Sequence, residues 1–294
     1  MILGLENVNL SSNSGPNSFA SKLVKYIANH GVRLQEKNAE AYLCFIESQR
    51  QSYDKPMFQR LDGIYFNNKQ DYTRQNLNIE RTYHMASGVI FQSEFNKKLI
   101  TKFFGEHQNS TIIHNGADLE LINKTPALPL DRYESLWSCA ASWRPHKRLK
   151  ENVRYFLEHA GNNDGLIIAG DVPFNERYKD ERIHYVGTLS QKQLFSLYKR
   201  SKFFLHLAWL DHCPNVVVDA RACGATIVCS STGGTKEIAG SDAIVIQEQE
   251  WNFEPVSLYE PPPMNFENKS NSGLNSELDM NTVCKLYKQF IFGD

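Results

Sequence analysis

Eight short apolar runs set the frame: "YLCFIE" (42–47), "GVIFQS" (88–93), "STIIHNG" (110–116), "GLIIAGD" (165–171), "RIHYVG" (182–187), "KFFLHLA" (202–208), "ATIVCSS" (225–231) and "AIVIQE" (243–248). Each is nearly continuous in apolar residues and rich in Val and Ile. Parallel strands covered on both faces have that look. Between several of them the spacing predicts helices over 17–30, 93–104, 146–160 and 190–200. Strands alternating with helices define an α/β fold. A chain of 294 residues has room for one or two such domains. The stretch "LINKTPALPLDRYES" (121–135) interrupts the rhythm with two prolines, so the predicted units are 1–130 and 131–276. Region 250–276 is rich in Pro, Asn and Ser and predicts an irregular crossing segment. Residues 277–294 regain helical spacing through Leu278, Val283, Leu286, Tyr287 and Phe290, and are expected to cross back to the N-terminal unit.

The bulk properties exclude several classes. A formal net charge of -1 gives no field for nucleic acid. No apolar run reaches the length of a membrane span. The start, "MILGLENVNL", has no basic n-region and carries Glu6, which makes it a poor signal peptide. Six cysteines lie at 44, 139, 213, 223, 229 and 284 without a CxxC, several inside strand runs. Reduced, buried thiols in a cytoplasmic setting are expected. Lys, Tyr and Phe residues around 22–26 and 65–74 offer a surface for peripheral membrane contact, or simply an amphipathic face.

Ligands of open α/β sheets bind beyond the carboxyl ends of strands, and three such places stand out. "NSGPNSFASKLVKYI" (13–27) follows the first strand, with Gly15 and Pro16 turning into a helix whose amides could hold an anion. In "AASWRPHKRLK" (140–150) a strand run ends at Ser142, followed by Arg144 and Lys147. An Arg fork and a Lys point charge three residues apart suit a diphosphate; a solvated basic helix face is the plainer reading. In "SSTGGTKEIAG" (230–240), Thr232, Gly233 and Gly234 free the backbone for close approach to a ligand, or form an ordinary strand–helix turn. His206, His212, Cys213 and Cys223 match no zinc spacing, and His206 reads as a hydrogen-bonded core histidine.

Two aspartates, Asp211 and Asp219, stand eight apart in "LDHCPNVVVDARACG". Pro214 fits a first helical position and Gly224 fits just past a helix end, so a helix is expected over 214–223 despite the three valines. This block, together with "ASGVIFQSEFNKKLITKFFG", "TIIHNGADLELI", "AASWRPHKRLKENV", "GLIIAGD" and "RIHYVGTLSQKQLFSLYKRSKFFLHLAW" in that order, resembles retaining glycosyltransferases of the GT-B fold, nearest to family 4. The resemblance covers roughly residues 80–245. It implies two Rossmann-like parallel-sheet domains facing a central cleft. It also implies transfer of a hexose from a UDP- or GDP-sugar to a hydroxyl acceptor with retention, without an essential metal or cofactor. The acceptor stays open between a glycan, a lipid-linked and a small-molecule compound.

The family carries two glutamates eight apart in this block. Ala222-Cys223-Gly224 fixes the register, so Asp211 falls on the first acid, beside the donor sugar, and Asp219 on the second, which meets the ribose. Each side chain here is shorter by one carbon–carbon bond, roughly 1.5 Å. The resemblance places Arg144 and Lys147 against the leaving diphosphate. The implied donor-binding set is Gly15, Ser142, Arg144, Lys147, Asn215, Asp219, Thr232, Gly233 and Gly234. "KPMFQRLDGIYF" (55–66) stands where the family has a strand and a His, and Asp62 falls at or beside that His. Asp62 then orients the acceptor or a donor hydroxyl; equally, Asp62-Gly63 is a turn. The implied catalytic set is Asp211, Arg144, Lys147 and Asp62. The two short acids and the missing His also fit a sugar-nucleotide-binding partner subunit with little activity of its own, or a GT-B sugar epimerase.

Overall fold

The computed structural model describes residues 1–12 and 14–293, so Asn13, which opens the 13–27 segment, lies outside the described residues, as does Asp294. The first sheet is built from β1 (Ile2–Glu6), β2 (Arg33–Leu34), β3 (Ala41–Phe45), β4 (Met57–Leu61), β5 (Gly88–Phe91) and β6 (Ser110–Ile112). All its pairings are parallel, in the order β2-β1-β3-β4-β5-β6. Helices α1 (Gly15–Ile27), α2 (Tyr72–Met85) and α3 (Glu94–Phe104) connect these strands. Side-chain alternation splits the core into two layers. Leu43 and Phe45 face α1, whereas Tyr42 and Cys44 face α2 and α3. Both faces are covered, which is why the runs lack polar positions.

Helix α4 (Leu119–Lys124) leads to the second sheet: β7 (Leu136–Ala140), β8 (Gly165–Ala169), β9 (Ile183–Gly187), β10 (Phe203–His206), β11 (Thr226–Ser230), β12 (Ile244–Ile246) and β13 (Lys269–Ser270). Its order is β13-β12-β11-β10-β7-β8-β9, parallel except for the β12–β13 pair. Helices α5 (Leu149–His159), α6 (Gln191–Arg200), α7 (Asn215–Ala222) and α8 (Thr235–Ile238) cover it, and α9 (Met280–Phe292) follows β13. Helix α6 starts at a capping box, Ser190 with Gln193.

The chain crosses between units twice. Ile122 of α4 belongs to the apolar cluster of the second sheet, and Leu128 N–H donates to Ser196 O at 2.9 Å. The first crossing therefore falls at 116–118, ahead of residue 131. The return crossing runs beside it: Ala117 N–H donates to Leu278 O (2.7 Å) and Met280 N–H to Ala117 O (3.0 Å). A Cβ on Gly116 would stand 2.7 Å from Met280 Cα, so only glycine lets the two strands touch. Met280, Val283, Cys284, Tyr287 and Ile291 of α9 then join the α1 side of the N-terminal core.

All six cysteines are free thiols. No described helix is long and apolar enough to cross a membrane. The expected surface patch at 22–26 is corrected: Lys22 and Tyr26 are buried, because Lys22 meets Asp219 and Tyr26 donates to Asp118. Tyr65, in the other half of that patch, is exposed.

Candidate active site

The site grows from the carboxyl ends of β7, β10 and β11. Beyond β7, the Trp143 indole donates to Ala169 O at the end of β8 (2.9 Å), which fastens the loop. Pro145–Lys147 form a single 3₁₀ turn. Arg148 then takes a left-handed conformation, φ 52°, before α5 starts. That conformation costs a non-glycine residue roughly 1–2 kcal/mol. The buried Arg148 guanidinium offsets it by donating to both Glu248 oxygens (3.0 and 2.7 Å) and to Pro262 O (2.8 Å). Lys147, the residue before Arg148, reaches the loop after β10.

There Lys147 Nζ meets Asp211 Oδ2 at 2.5 Å, and His206 Nε2 meets the same oxygen at 2.8 Å. Asp211 Oδ1 accepts the His212 amide at 3.1 Å. Burial works against the charged carboxylate, yet Lys147 and His206 outweigh it and hold the Asp211 pKa well below the usual range. Burial also lowers the His206 pKa although Asp211 pulls it up. A neutral His206 bonded to a carboxylate must carry its proton on Nε2 and donate it. His146, beside Lys147, is pushed down to about 4 by burial and by that lysine.

The β11 loop closes against this cluster. Gly234 N–H donates to Asp211 O at 2.8 Å, and Gly233 has φ +90°. A Cβ on Gly233 would lie 2.6 Å from Asp211 O; one on Gly234 would lie 2.0 Å from His212 O and 2.5 Å from Ser93 Oγ. The close approach that these glycines permit is to the Asp211–His212 backbone and to the other unit. Gly234→Ala is accordingly expected to lower the melting temperature by about 3–10 °C, from an overpacking penalty of about 1–3 kcal/mol. An unchanged melting curve would show that the turn relaxes freely.

The remaining predicted residues fall into separate groups. Ser142 and Arg144 are exposed, and among the described residues neither side chain has a hydrogen-bond partner. Thr232 is buried and bonds Ser230 and Glu248. Gly15 opens α1 with open space at its Cβ position, and its carbonyl accepts from Asn215 of α7 at 3.0 Å. Asp219, on α7, pairs with Lys22 of α1 at 3.1 Å, and Lys22 also donates to Gly116 O (2.7 Å). Burial raises the Asp219 pKa, and Lys22 offsets this only in part. Asp62 lies at the end of β4, paired with the fully buried Arg60. Burial raises its pKa despite that arginine. The next residue touches the opposite unit: a Cβ on Gly63 would lie 2.7 Å from His212 Nε2.

Sequence reasoning missed three contributors. Lys22 looked like one more lysine on a helix. His212 sits between the units, bonded to Asn96 (3.0 Å), with burial pushing its pKa down to about 4. Glu237 accepts the Glu94 and Phe95 amides (2.7 and 2.9 Å), capping α3 of the opposite unit. Its place in "SSTGGTKEIAG", just past a strand end, was the available signal for Glu237. The other two carried none.

Comparison with known proteins agrees with this architecture. Residues 139–253 match the family model described as glycosyl transferases group 1. Sucrose-phosphate synthase from Thermosynechococcus elongatus superposes with a TM-score of 0.72 at 12% identity, covering 98% of each chain. WaaG, a glycosyltransferase involved in lipopolysaccharide biosynthesis, gives 0.65 at 12% identity over 100% of both chains. Anabaena HepE in complex with UDP-glucose gives 0.63 at 14% identity, covering 85% of this chain and 86% of its own. No curated protein sequence matches. The chain as a whole has the GT-B fold. Its C-terminal unit carries the pattern of group 1 glycosyltransferases.

Proposed function

We propose that this protein transfers a sugar from a nucleoside-diphosphate sugar, UDP- or GDP-linked, to a hydroxyl acceptor with retention of anomeric configuration. The observation that carries this reading is the Lys147–Asp211–His206 cluster at the carboxyl ends of β7 and β10. Departure of the donor's diphosphate builds negative charge, and fixed cations lower the barrier to it. Lys147 is one such cation. Arg144, exposed two residues past Ser142, is the free fork that closes on the same phosphates. Asp211 is a poor proton acceptor, because its carboxyl pKa lies so low. Its fixed negative charge instead favours positive charge developing at the anomeric carbon. The acceptor's proton then passes to the departing phosphate, and attack from the same face follows. Asp219 and Asn215 complete the nucleotide side, with the ribose meeting Asp219. Asp62 stands on the acceptor side.

A second reading draws on one observation. Asp219 is only 8% exposed and is engaged by Lys22, which suits a binding subunit that holds nucleotide weakly. Thermal shift against UDP, GDP, ADP, CDP and their common sugars, without metal, tests both. UDP-glucose is the first choice because HepE was captured with it. A stabilising donor that is also consumed supports the transferase. Stabilisation without turnover moves the weight to the binding subunit, and no shift with any nucleotide sinks both readings. Arg144→Ala is expected to weaken nucleotide binding about 10–100-fold, the worth of a charge-assisted bond; unchanged binding would remove Arg144 from the phosphate site.

A further inference from the structure

An open depression of about 290 Å³ lies between the loop after β10 and the segment that leads away from β12. It is lined by Trp209, Gln249, Glu250, Trp251, Asn252 and Pro262. We propose that it binds one ring of a saccharide acceptor, an inference that rests on the transferase reading above.

Its place supports this first. Trp209 is two residues ahead of Asp211, at most roughly 7 Å of chain. Its amide donates to His146 O at 2.7 Å, next to Lys147. Pro262, on the far side, accepts from Arg148 at 2.8 Å. The wall of the depression is therefore braced by the same two loops that carry the charge cluster. Trp251 reaches the N-terminal unit, with ring centroids 5.0 Å from Phe66 and 6.1 Å from Phe95. The depression thus borders both units, where a second substrate must enter.

Its chemistry supports it next. A sugar ring offers apolar C–H edges together with hydroxyls that both donate and accept. The half-buried Trp251 indole matches the first, with the buried Trp209 behind it, and amides and a carboxylate match the second. Gln249, Glu250 and Asn252 are exposed. Among the described residues, the Gln249 and Glu250 side chains bond to nothing. The one titratable group in the lining is an acid, Glu250, which repels a nucleotide's phosphates. The volume sits just below the usual small-molecule range of roughly 300–1,000 Å³, enough for a single ring and too small for a whole nucleotide sugar.

The test uses the full chain and its tryptophan emission. Wild type and a Gln249→Ala/Glu250→Ala double variant are titrated with glucose, galactose, mannose, N-acetylglucosamine and maltose, and separately with UDP and GDP. Both substitutions are on exposed side chains and leave the core untouched. The expected result is saturable quenching by at least one sugar in the millimolar range, weakened at least fivefold in the double variant, with nucleotide affinity unchanged. No saturable response to any sugar overturns the proposal, as does a response that the double variant retains. Loss of nucleotide binding in the double variant also overturns it, by assigning the depression to the donor. If wild type binds sugar but no nucleotide, the transferase reading fails while the saccharide site stands.

Discussion

Lys147→Met is expected to lower sugar transfer by about 10²–10³-fold, the usual effect of removing one fixed group that stabilises transition-state charge. Nucleotide affinity should fall less than turnover, because the contact proposed for Arg144 is untouched by this substitution. The same substitution has a second signature. Lys147 is the main influence holding the Asp211 pKa below its ordinary value. A carboxyl whose folded pKa is depressed contributes stability above its unfolded pKa and loses it as pH falls through the folded value. In wild type that loss lies below the range of an activity assay, so Asp211 produces no acid limb at pH 4–8. Without Lys147, only His206 is left to oppose burial, the pKa rises, and an acid limb should move up toward the measured range. Turnover across pH 4–8 decides the matter. A variant with full activity, or with reduced activity and an unshifted profile, would remove Lys147 from the role given to it.

Arg60→Met is expected to lower stability by about 3–5 kcal/mol, the cost of breaking a buried ion pair from one side. The Arg60 guanidinium is fully buried, pairs with Asp62, donates to Asn115 Oδ1 (2.7 Å) and Tyr287 Oη (2.9 Å), and lies 3.9 Å over the Phe19 ring. Removing it strands the Asp62 carboxylate, whose pKa burial already raises. It also unfastens Tyr287 on α9. Denaturant melts followed with hydrogen exchange at 280–292 should show both effects. A loss under about 1 kcal/mol would mean that water replaces the guanidinium.

The parallel strands were legible because burial on both faces leaves a mark no surface element makes. "GLIIA" and "TIVCS" show it plainly. β4 was not legible by that rule. All five of its residues are buried, but Gln59 and Arg60 are polar: the Gln59 amide donates to Ile46 O and Ile79 O, and Arg60 to Asp62, Asn115 and Tyr287. α2 escaped for a related reason: two of its four buried residues, Asn76 and Thr82, are polar, so its apolar stripe is too thin for periodicity. At the site, Lys147 could be picked from its place after a strand, and Asp211 from its spacing to Asp219 and the family resemblance. That they meet, and that His206 shares the same carboxylate oxygen, depends on how two loops fold against each other. Lys22 is the extreme case. Its partner lies 197 residues away, and nothing in the helix around it marks the pairing.

The double crossing beside Gly116 also fixes the order in which this protein is finished during synthesis. Domains ordinarily mature in the order they leave the ribosome. Here the N-terminal core is missing one wall until 280–292 have emerged, after the whole second sheet. The later unit is contiguous and can close first. The earlier one must wait with the α1 side of its sheet covered by α1 alone, its contacts with Met280, Val283, Cys284, Tyr287 and Ile291 still to be made.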